Sequence, residues 1–127
     1  MNEFDITEIE DEIIEVVRSL NISKKVLANR PKAMEQVSDF IVVKVSGGVD
    51  DRAAFGECTV SIHLFAKDND NIKNGKKLSM MYGGLVKGLP ASSGRLLFST
   101  TPKIIGDTPD DFGYHARIIR IHTTIKI

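Results

Sequence analysis

Apolar residues near the start of the chain recur at steps of three and four positions, which places them on one face of an α-helix. The series consists of Ile6, Ile9, Ile13, Val16, Val17 and Leu20. Asp5 or Thr7 can cap the start of this helix, and Thr7 with Glu10 has the spacing of a capping box. The pattern predicts an amphipathic helix that ends near Asn21.

The period changes to two in the next part of the chain, which indicates β-strands. Residues 40–45 form one predicted strand and residues 57–65 form a second, with a turn-rich loop at residues 47–52 between them. The second strand carries an apolar face made of Cys58, Val60, Ile62 and Leu64. Its other face is mostly polar, which is typical of an antiparallel sheet covered on one side. The connector before these strands holds only a short extended piece, at residues 24–28.

A second helix is predicted from Asn74 to about Leu89, after turn and capping residues at positions 68–71. Its apolar face consists of Leu78, Met81, Tyr82, Leu85 and Leu89. Gly83 and Gly84 lie inside this helix, where each costs roughly 1 kcal/mol relative to alanine. Close approach to the sheet, a tight subunit contact or a helix break would account for the pair.

The chain then returns to strands, at residues 95–100 and 103–105, with Pro102 expected at a bulge or an edge. A turn is predicted at residues 106–111, followed by a long strand from Tyr114 to Ile127. This order predicts a single α+β domain over residues 1–127, an antiparallel β-sheet with two helices packed on one face. The polar-leaning second face of this two-layer sandwich is then left for solvent or for another subunit.

Composition excludes several classes of protein. The 17 basic and 17 acidic residues give no net charge, whereas a dedicated nucleic-acid binder usually has a basic excess. The N-terminal residues do not form a secretory signal, and no apolar run is long enough for a membrane helix. We therefore expect a protein that is made and kept in the cytoplasm. Residues 1–15 carry seven acidic side chains and no basic one. This segment is either a solvated helix face or an acidic contact surface.

The residue patterns predict no catalytic, cofactor-binding or metal-binding residues, and therefore no enzyme. Cys58 shares the apolar strand face, where cysteine usually serves as a small core residue. His115 and His122 are seven positions apart on one predicted strand and point to opposite faces, so they cannot bind the same ion. The acidic run at residues 68–71 fails as a calcium loop, because Ile72 and Lys73 occupy the fifth and sixth positions. The paired glycines do not form a phosphate-binding loop.

The candidate functional residues are therefore surface residues that could contact other chains. Exposed loops are predicted at residues 47–55, 91–94 and 106–113, and apolar residues within such loops favour protein contacts. The loop candidates are Val49, Asp50, Asp51, Arg52, Phe55, Asp110, Asp111 and Phe112. Charged candidates on the first helix and the last strand are Glu8, Glu12, Glu15, Arg117 and Arg120.

The order of these elements resembles the tail terminator, or tail completion, proteins of long-tailed bacteriophages and prophages. The two predicted strands at residues 40–45 and 58–65 resemble the hairpin of that family. The helix Asn74–Leu89 and the ending Tyr114–Ile127 resemble its second half. The resemblance is one of pattern and spacing over most of the chain. It implies a hexameric ring in the virion tail that caps the tail tube and contacts the head–neck connector, with DNA only passing through.

Other functions fit the same pattern. Another head–tail connector or neck protein of a virion would share the size and fold class. A small ligand-binding domain or enzyme would need a pocket with convergent polar groups. A peptide-binding adaptor would add a peptide strand to a free sheet edge and would be monomeric alone.

Overall fold

The computed structural model describes residues 6–28, 37–52, 55–89, 92–93, 96–98, 102–110 and 112–126. These residues form two helices, α1 (Ile6–Ser19) and α2 (Gly75–Lys87). They also form seven strands: β1 (Val26–Leu27), β2 (Asp39–Arg52), β3 (Phe55–Lys67), β4 (Ser92–Ser93), β5 (Leu96–Phe98), β6 (Lys103–Pro109) and β7 (Tyr114–Lys126). The predicted α+β class is confirmed.

Strand β3 lies at the centre of the sheet and pairs antiparallel with β2 on one side and β7 on the other. The short strand β1 joins the outer edge of β2 in parallel, which is the one departure from antiparallel pairing in the described sheet. The far edge of β7 is shared, because β6 pairs with its first half and β5 with its last residues. Strand β4 then pairs with β5.

The helix face of the sheet holds the main core. Alternate residues of the three long strands point towards the helices and are buried, among them Ile41, Val43, Val60, Ile62, Leu64, Ile119 and Ile121. Helix α2 contributes Leu78, Met81 and Leu85 to the same cluster. Helix α1 contributes Ile9, Ile13, Ile14 and Val17. Both helices therefore pack on one face, as the sequence predicted, because periods of 3.6 and two each create one apolar side.

Helix α1 begins at Ile6, so the alternative in which Thr7 is the capping residue is wrong, since Thr7 lies inside the helix. The other candidate, Asp5, lies outside the described residues. The helix ends as predicted. Asn21 adopts a left-handed conformation with φ of 57° and donates its backbone N–H to the carbonyl of Arg18. Asparagine tolerates this conformation better than most residues, so it ends the helix at low cost.

The second face of the sheet is not polar throughout, which corrects the expectation that it is left open. At one end, five residues from three strands form a buried cluster: Phe40, Val42, Phe65, Tyr114 and Ala116. The rings of Phe40 and Phe65 stack with centroids 4.4 Å apart, and Tyr114 meets Phe40 edge-on at 5.3 Å. The hydroxyl of Tyr114 donates to the carbonyl of Val37 at 2.7 Å. Only the remaining rows of this face are polar.

Two predicted loops are largely strand, and this is a further correction. Strand β2 continues to Arg52 and β3 begins at Phe55, so residues 50–52 are paired backbone and residues 47–49 form an irregularity within the strand. The register shifts between Ser46 and Asp50, which accommodates the glycines between them. Strand β6 likewise continues to Pro109, with a bulge between Ile104 and Gly106, so residues 106–109 are not a turn. Residues 53–54 and 111 lie outside the described residues.

Helix α2 is capped by Asn74, whose side chain accepts the backbone N–H of Lys77 at 3.1 Å. Residues 68–71 are therefore not the cap; Asp70 and Asn71 have positive φ in a tight turn closed by Asn69 and Ile72. The two helical glycines differ in their surroundings. A Cβ at Gly83 would meet nothing within 4 Å, whereas one at Gly84 would lie 3.2 Å from Ile22. The close approach is thus to the connector after α1 and involves Gly84 alone.

We predict that Gly83→Ala stabilises the fold by about 0.5–1 kcal/mol, because alanine reduces the backbone entropy lost on forming the helix. Gly84→Ala gains the same entropy but presses on Ile22, so its stabilisation should be smaller or absent. Urea unfolding of both variants beside the parent chain measures the difference. Equal stabilisation by the two substitutions would contradict the packing described for Gly84.

Candidate interaction surfaces

A charged clamp joins β6, β7 and α2 on the helix face of the sheet. Arg117 on β7 donates from Nε and Nη2 to the two carboxylate oxygens of Asp107 on β6, at 2.8 and 3.0 Å. Its Nη1 also donates to the hydroxyl of Ser79 on α2 at 3.2 Å. Lys73 adds a contact to Asp107 at 3.1 Å. These hydrogen bonds, those from Arg117 foremost, hold the pKa of Asp107 below its ordinary value.

One further ion pair and one histidine–carboxylate hydrogen bond lie at the same end of the domain. Lys77 of α2 lies 3.1 Å from Asp39 at the start of β2. His115 Nδ1 on β7 lies 2.7 Å from Asp68 Oδ1, just after β3, and both side chains are mostly buried. These contacts attach α2 and the strand ends to one another, so they are structural interactions within the chain.

The open part of the second sheet face carries a row of cations, which we call the basic row: Lys44, Arg120 and Lys103. Lys44 pairs across the strands with Ser61, Ser61 with Arg120, and Arg120 with Lys103. Cross-strand partners share a face, so the three cations point the same way. All three are exposed, and none has an ion-pair partner among the described side chains.

Histidines flank the basic row on the same face. His63 is half-buried, and burial, with a smaller effect of Lys44, holds its pKa below the ordinary value. His63 is therefore neutral at pH 7 and adds no charge to the row. His122 lies on the other side of the row and is exposed. Together with Ser61 and Thr59, these residues give the open face a polar surface with cations at its centre.

The exposed side of α1 is acidic, and we call Glu8, Asp11 and Glu15 the acidic stripe. They recur at helical spacing opposite the buried residues Ile9 and Ile13, so they face away from the sheet. Glu15 also pairs with Arg18 one turn later, and Glu12 beside the stripe is half-buried. The exposed side of α1 is thus acidic, whereas Lys44, Arg120 and Lys103 lie on the opposite face of the sheet.

One acid of α1, Glu10, contacts the edge of the sheet that β2 forms. The carboxylate of Glu10 accepts the outward backbone N–H of Val45 on β2 at 3.3 Å. Further down the same edge, β1 pairs with β2, and Ile41 donates its N–H to the carbonyl of Lys25 at 2.9 Å. Unpaired strand edges invite association with other chains. Strand β1 and Glu10 therefore cover part of the β2 edge within the chain itself.

The opposite edge, at β6, has no such cover among the described strands, because β6 pairs with β7 alone. Its Ile104 and Ile105 are 44% and 45% exposed, next to Lys103 of the basic row. The edge is irregular, since a bulge precedes Gly106, which has φ of 154°. Exposed apolar residues on an open edge are characteristic of a contact with another chain.

Two turns at one end of the sheet present a second pair of exposed apolar side chains, Ile72 at 70% and Phe112 at 60%. The turns are tied together, because Asp68 donates its N–H to the carbonyl of Gly113 at 2.9 Å. Asp110 Oδ1 accepts the backbone N–H groups of Phe112 and Tyr114 at 2.9 and 3.2 Å. Asp110 thus shapes its own turn, while Phe112 points outward.

The predicted contact residues fall into separate groups in the fold. Glu8 and Glu15 share the exposed side of α1, as expected from their spacing. Arg117 and Arg120 lie on opposite faces of β7, and Arg117 is engaged within the chain by Asp107. Val49, Asp50, Asp51, Arg52 and Phe55 are strand residues at the far end of β2 and β3, and their side chains lie outside the description, as does Asp111.

Sequence reasoning missed Lys44, Lys103, Ile104 and Ile105. No local signal identifies them, because their grouping depends on which strands pair and in which register. Within the described residues, no three histidine, cysteine or acidic side chains are placed to hold a metal ion. Neither described helix is long and apolar enough to cross a membrane. An open depression beside the connector after α1 is lined by Arg18, Lys24 and Asp39 among other residues.

Comparisons with known proteins inform the fold alone. No family model matches the chain, and no curated protein matches it. A solved structure that carries no functional description matches with a TM-score of 0.61 and 12% identity, over 95% of this chain and 92% of that chain. At this identity the likeness shows that the two chains share their architecture.

We predict that Asp107→Asn lowers the free energy of unfolding by about 1–2 kcal/mol, because Arg117 loses its charged acceptor. The folded pKa of Asp107 is depressed, so its stabilisation is present above the unfolded value and is lost as pH falls through the folded value. The difference in free energy of unfolding between the variant and the parent should therefore become smaller below about pH 4. Urea unfolding at several pH values measures it. Asp11→Asn on the exposed stripe is the control, and an equal loss there would contradict the clamp.

Proposed function

We propose that the chain is a structural subunit of a bacteriophage tail, a tail terminator that forms a ring on the tail tube and contacts the head–neck connector. The observation that carries association with other chains is the open β6 edge with its exposed Ile104 and Ile105. Native proteins cover or blunt such edges, and the described part of this chain leaves the isoleucines in water. The order of helices and strands along the chain supports the tail assignment in particular.

The two edges of the sheet differ in a way that favours a ring. A closed ring with head-to-tail contacts needs two different surfaces on each subunit. Part of the β2 edge is covered by β1 and Glu10, whereas the β6 edge is open. A two-fold dimer would instead require one self-complementary patch. Under this proposal the subunit is made in the cytoplasm, ends in the virion tail, catalyses nothing and meets DNA only as it passes through the ring.

A peptide-binding adaptor is the second candidate, because the open β6 edge could accept an added strand. The form of the edge makes strand addition less favourable. The bulge before Gly106 interrupts the ladder, and Pro102 and Pro109 at its ends cannot donate backbone hydrogen bonds. Contacts made by side chains, as between subunits, suit this edge better than a long continuous ladder. A different neck protein of a virion would use the same edge and differ only in its partners.

We predict that the protein associates as its concentration rises, towards ring-shaped particles of six subunits. Ile105→Lys should weaken this association about tenfold or more, because a charge would be buried at the contact. Sedimentation velocity gives the mass and electron microscopy gives the shape of the particles. Met80→Lys is the control, since Met80 is also an exposed apolar residue but lies on α2.

Three outcomes separate the candidates. Rings that the Ile105 substitution disrupts and the Met80 substitution spares support the proposal. A chain that stays monomeric at every concentration, yet binds an extended peptide through β6, would favour the adaptor. Rings that persist unchanged in the Ile105 variant would show that association does not use the β6 edge.

A further inference from the structure

We infer that the open face of the sheet is a contact surface for the phosphate backbone of duplex DNA, with the basic row at its centre. The choice of DNA as the polyanion rests on the proposed function, in which DNA passes through the ring. The inference adds which residues of the subunit meet that DNA, namely Lys44, Arg120 and Lys103. It also adds that the contact is made to phosphates and not to bases.

The cations of the basic row are not neutralised within the described part of the chain. Other cations are paired, since Lys73, Lys77 and Arg117 each contact an acid. The three cations of the row have no such partner, and they lie on the face that the helices do not cover. Among the described side chains that the paired strands place on this face, none is a carboxylate. An anionic partner would therefore meet positive charge that is free to attract it.

The spacing of the row suits a line of phosphates. Lys44 and Arg120 are separated by two strand spacings and Lys103 lies one further, so the row spans about 14 Å. Duplex DNA presents a phosphate about every 3.4 Å of its axis on each strand, so each cation can reach a separate phosphate. The exposed cations of α2 are less concentrated, because Lys76 and Lys87 are about 16 Å apart along the helix axis.

The composition of the face favours a nucleic acid over an acidic protein. Specific protein interfaces place apolar and aromatic residues at their centre and charge at the rim. At the centre of this face the arrangement is different, because Ser61 lies between Lys44 and Arg120. Serine hydroxyls, like lysine and arginine, commonly donate hydrogen bonds to phosphate oxygens. The centre of the face is therefore made of groups that bind a DNA backbone.

The DNA contact and the proposed subunit contact use different surfaces. Ile104 pairs with Ile119 and so points to the helix face of the sheet, whereas the preceding residue Lys103 pairs with Arg120 and points to the open face. Contacts between the edges of neighbouring subunits leave the open face uncovered. The exposed side of α1, on the other side of the sheet, is acidic and would repel phosphates. The open face is thus the side of the subunit that suits DNA.

The contact is expected to be weak and independent of sequence. The chain has no net charge, and affinity for DNA grows with the number of phosphates that are neutralised. A ring repeats the row in every subunit, so DNA in the channel would meet several rows at once. Each single contact is broken easily, which allows DNA to slide along the protein.

The test is DNA binding by the full chain and by two variants of equal net charge. The row variant carries Lys44→Gln, Arg120→Gln and Lys103→Gln. The control variant changes three exposed lysines outside the row, Lys24→Gln, Lys76→Gln and Lys87→Gln. Fluorescence anisotropy of a labelled duplex at low salt measures the affinity. The row variant should bind about tenfold or more weakly than the parent, and the control variant within about threefold of it.

Salt dependence gives a second readout of the same contact. The logarithm of the affinity falls with the logarithm of the salt concentration, with a slope of about −0.9 for each phosphate contacted. The slope should be shallower for the row variant and unchanged for the control variant. Two duplexes of unrelated sequence should bind alike, because backbone contacts carry no sequence information. Poly-L-glutamate serves as the competing probe, since it is an acidic polypeptide without phosphates.

Loss of affinity and of salt dependence in the row variant alone supports the inference. Equal loss in both variants, or a parent chain that does not bind the duplex at low salt, overturns it. Tighter binding of poly-L-glutamate than of the duplex would make an acidic protein the partner and would also overturn it. Sedimentation velocity of the same proteins separates this result from the ring. Rings formed by a parent that does not bind DNA leave the proposed function standing, whereas a monomer that binds DNA through the row supports the contact and contradicts the ring.

Discussion

The alternation of side chains along β3 is the constraint on which the rest of the structure depends. Because β3 pairs along its length with both β2 and β7, one register assigns the faces of all three strands. Val60, Ile62 and Leu64 point to the helices, while Ser61 and His63 point away. A slip of one residue would bury the polar set and expose the apolar one. The packing of the two helices on one face, and the aromatic cluster and polar rows on the other, follow from that register.

The elements were predictable from sequence where their signal is local. Local periodicity identifies the buried side of an element even when the element that packs on it is unknown. Examples are the helical spacing around Ile9 and Ile13 and the alternation of Val60 and Ile62. The aromatic cluster could not be predicted in this way, because Phe40, Phe65 and Tyr114 meet only once the strands are paired.

Turn-forming residues led to wrong predictions of loops. The candidate interaction surface, like the aromatic cluster, could not be predicted because it depends on which strands pair. Asp50 and Asp51 pair with Glu57 and Gly56 across the β2–β3 ladder, so tertiary pairing outweighs their turn propensity. Lys44, Arg120 and Lys103 form a row only through the pairing of four strands. Of the charged candidates, Arg117 is engaged by Asp107 within the chain and Arg120 is exposed. The two arginines lie three positions apart on one strand, so strand periodicity alone predicts that they point to opposite faces. Only the pairing of β6 with β7 shows that Asp107 is the partner of Arg117.

We propose that this chain contacts its neighbours at the open β6 edge. Hydrogen exchange of the β6 amides, measured on dilute and on concentrated protein, is the decisive measurement, since outward amides of an uncovered edge exchange rapidly. If β6 is the contact, the exchange of its amides slows on association, while exchange in α2 and in the β1–β2 pair is unchanged. Association with unaltered exchange throughout β6 would contradict the claim.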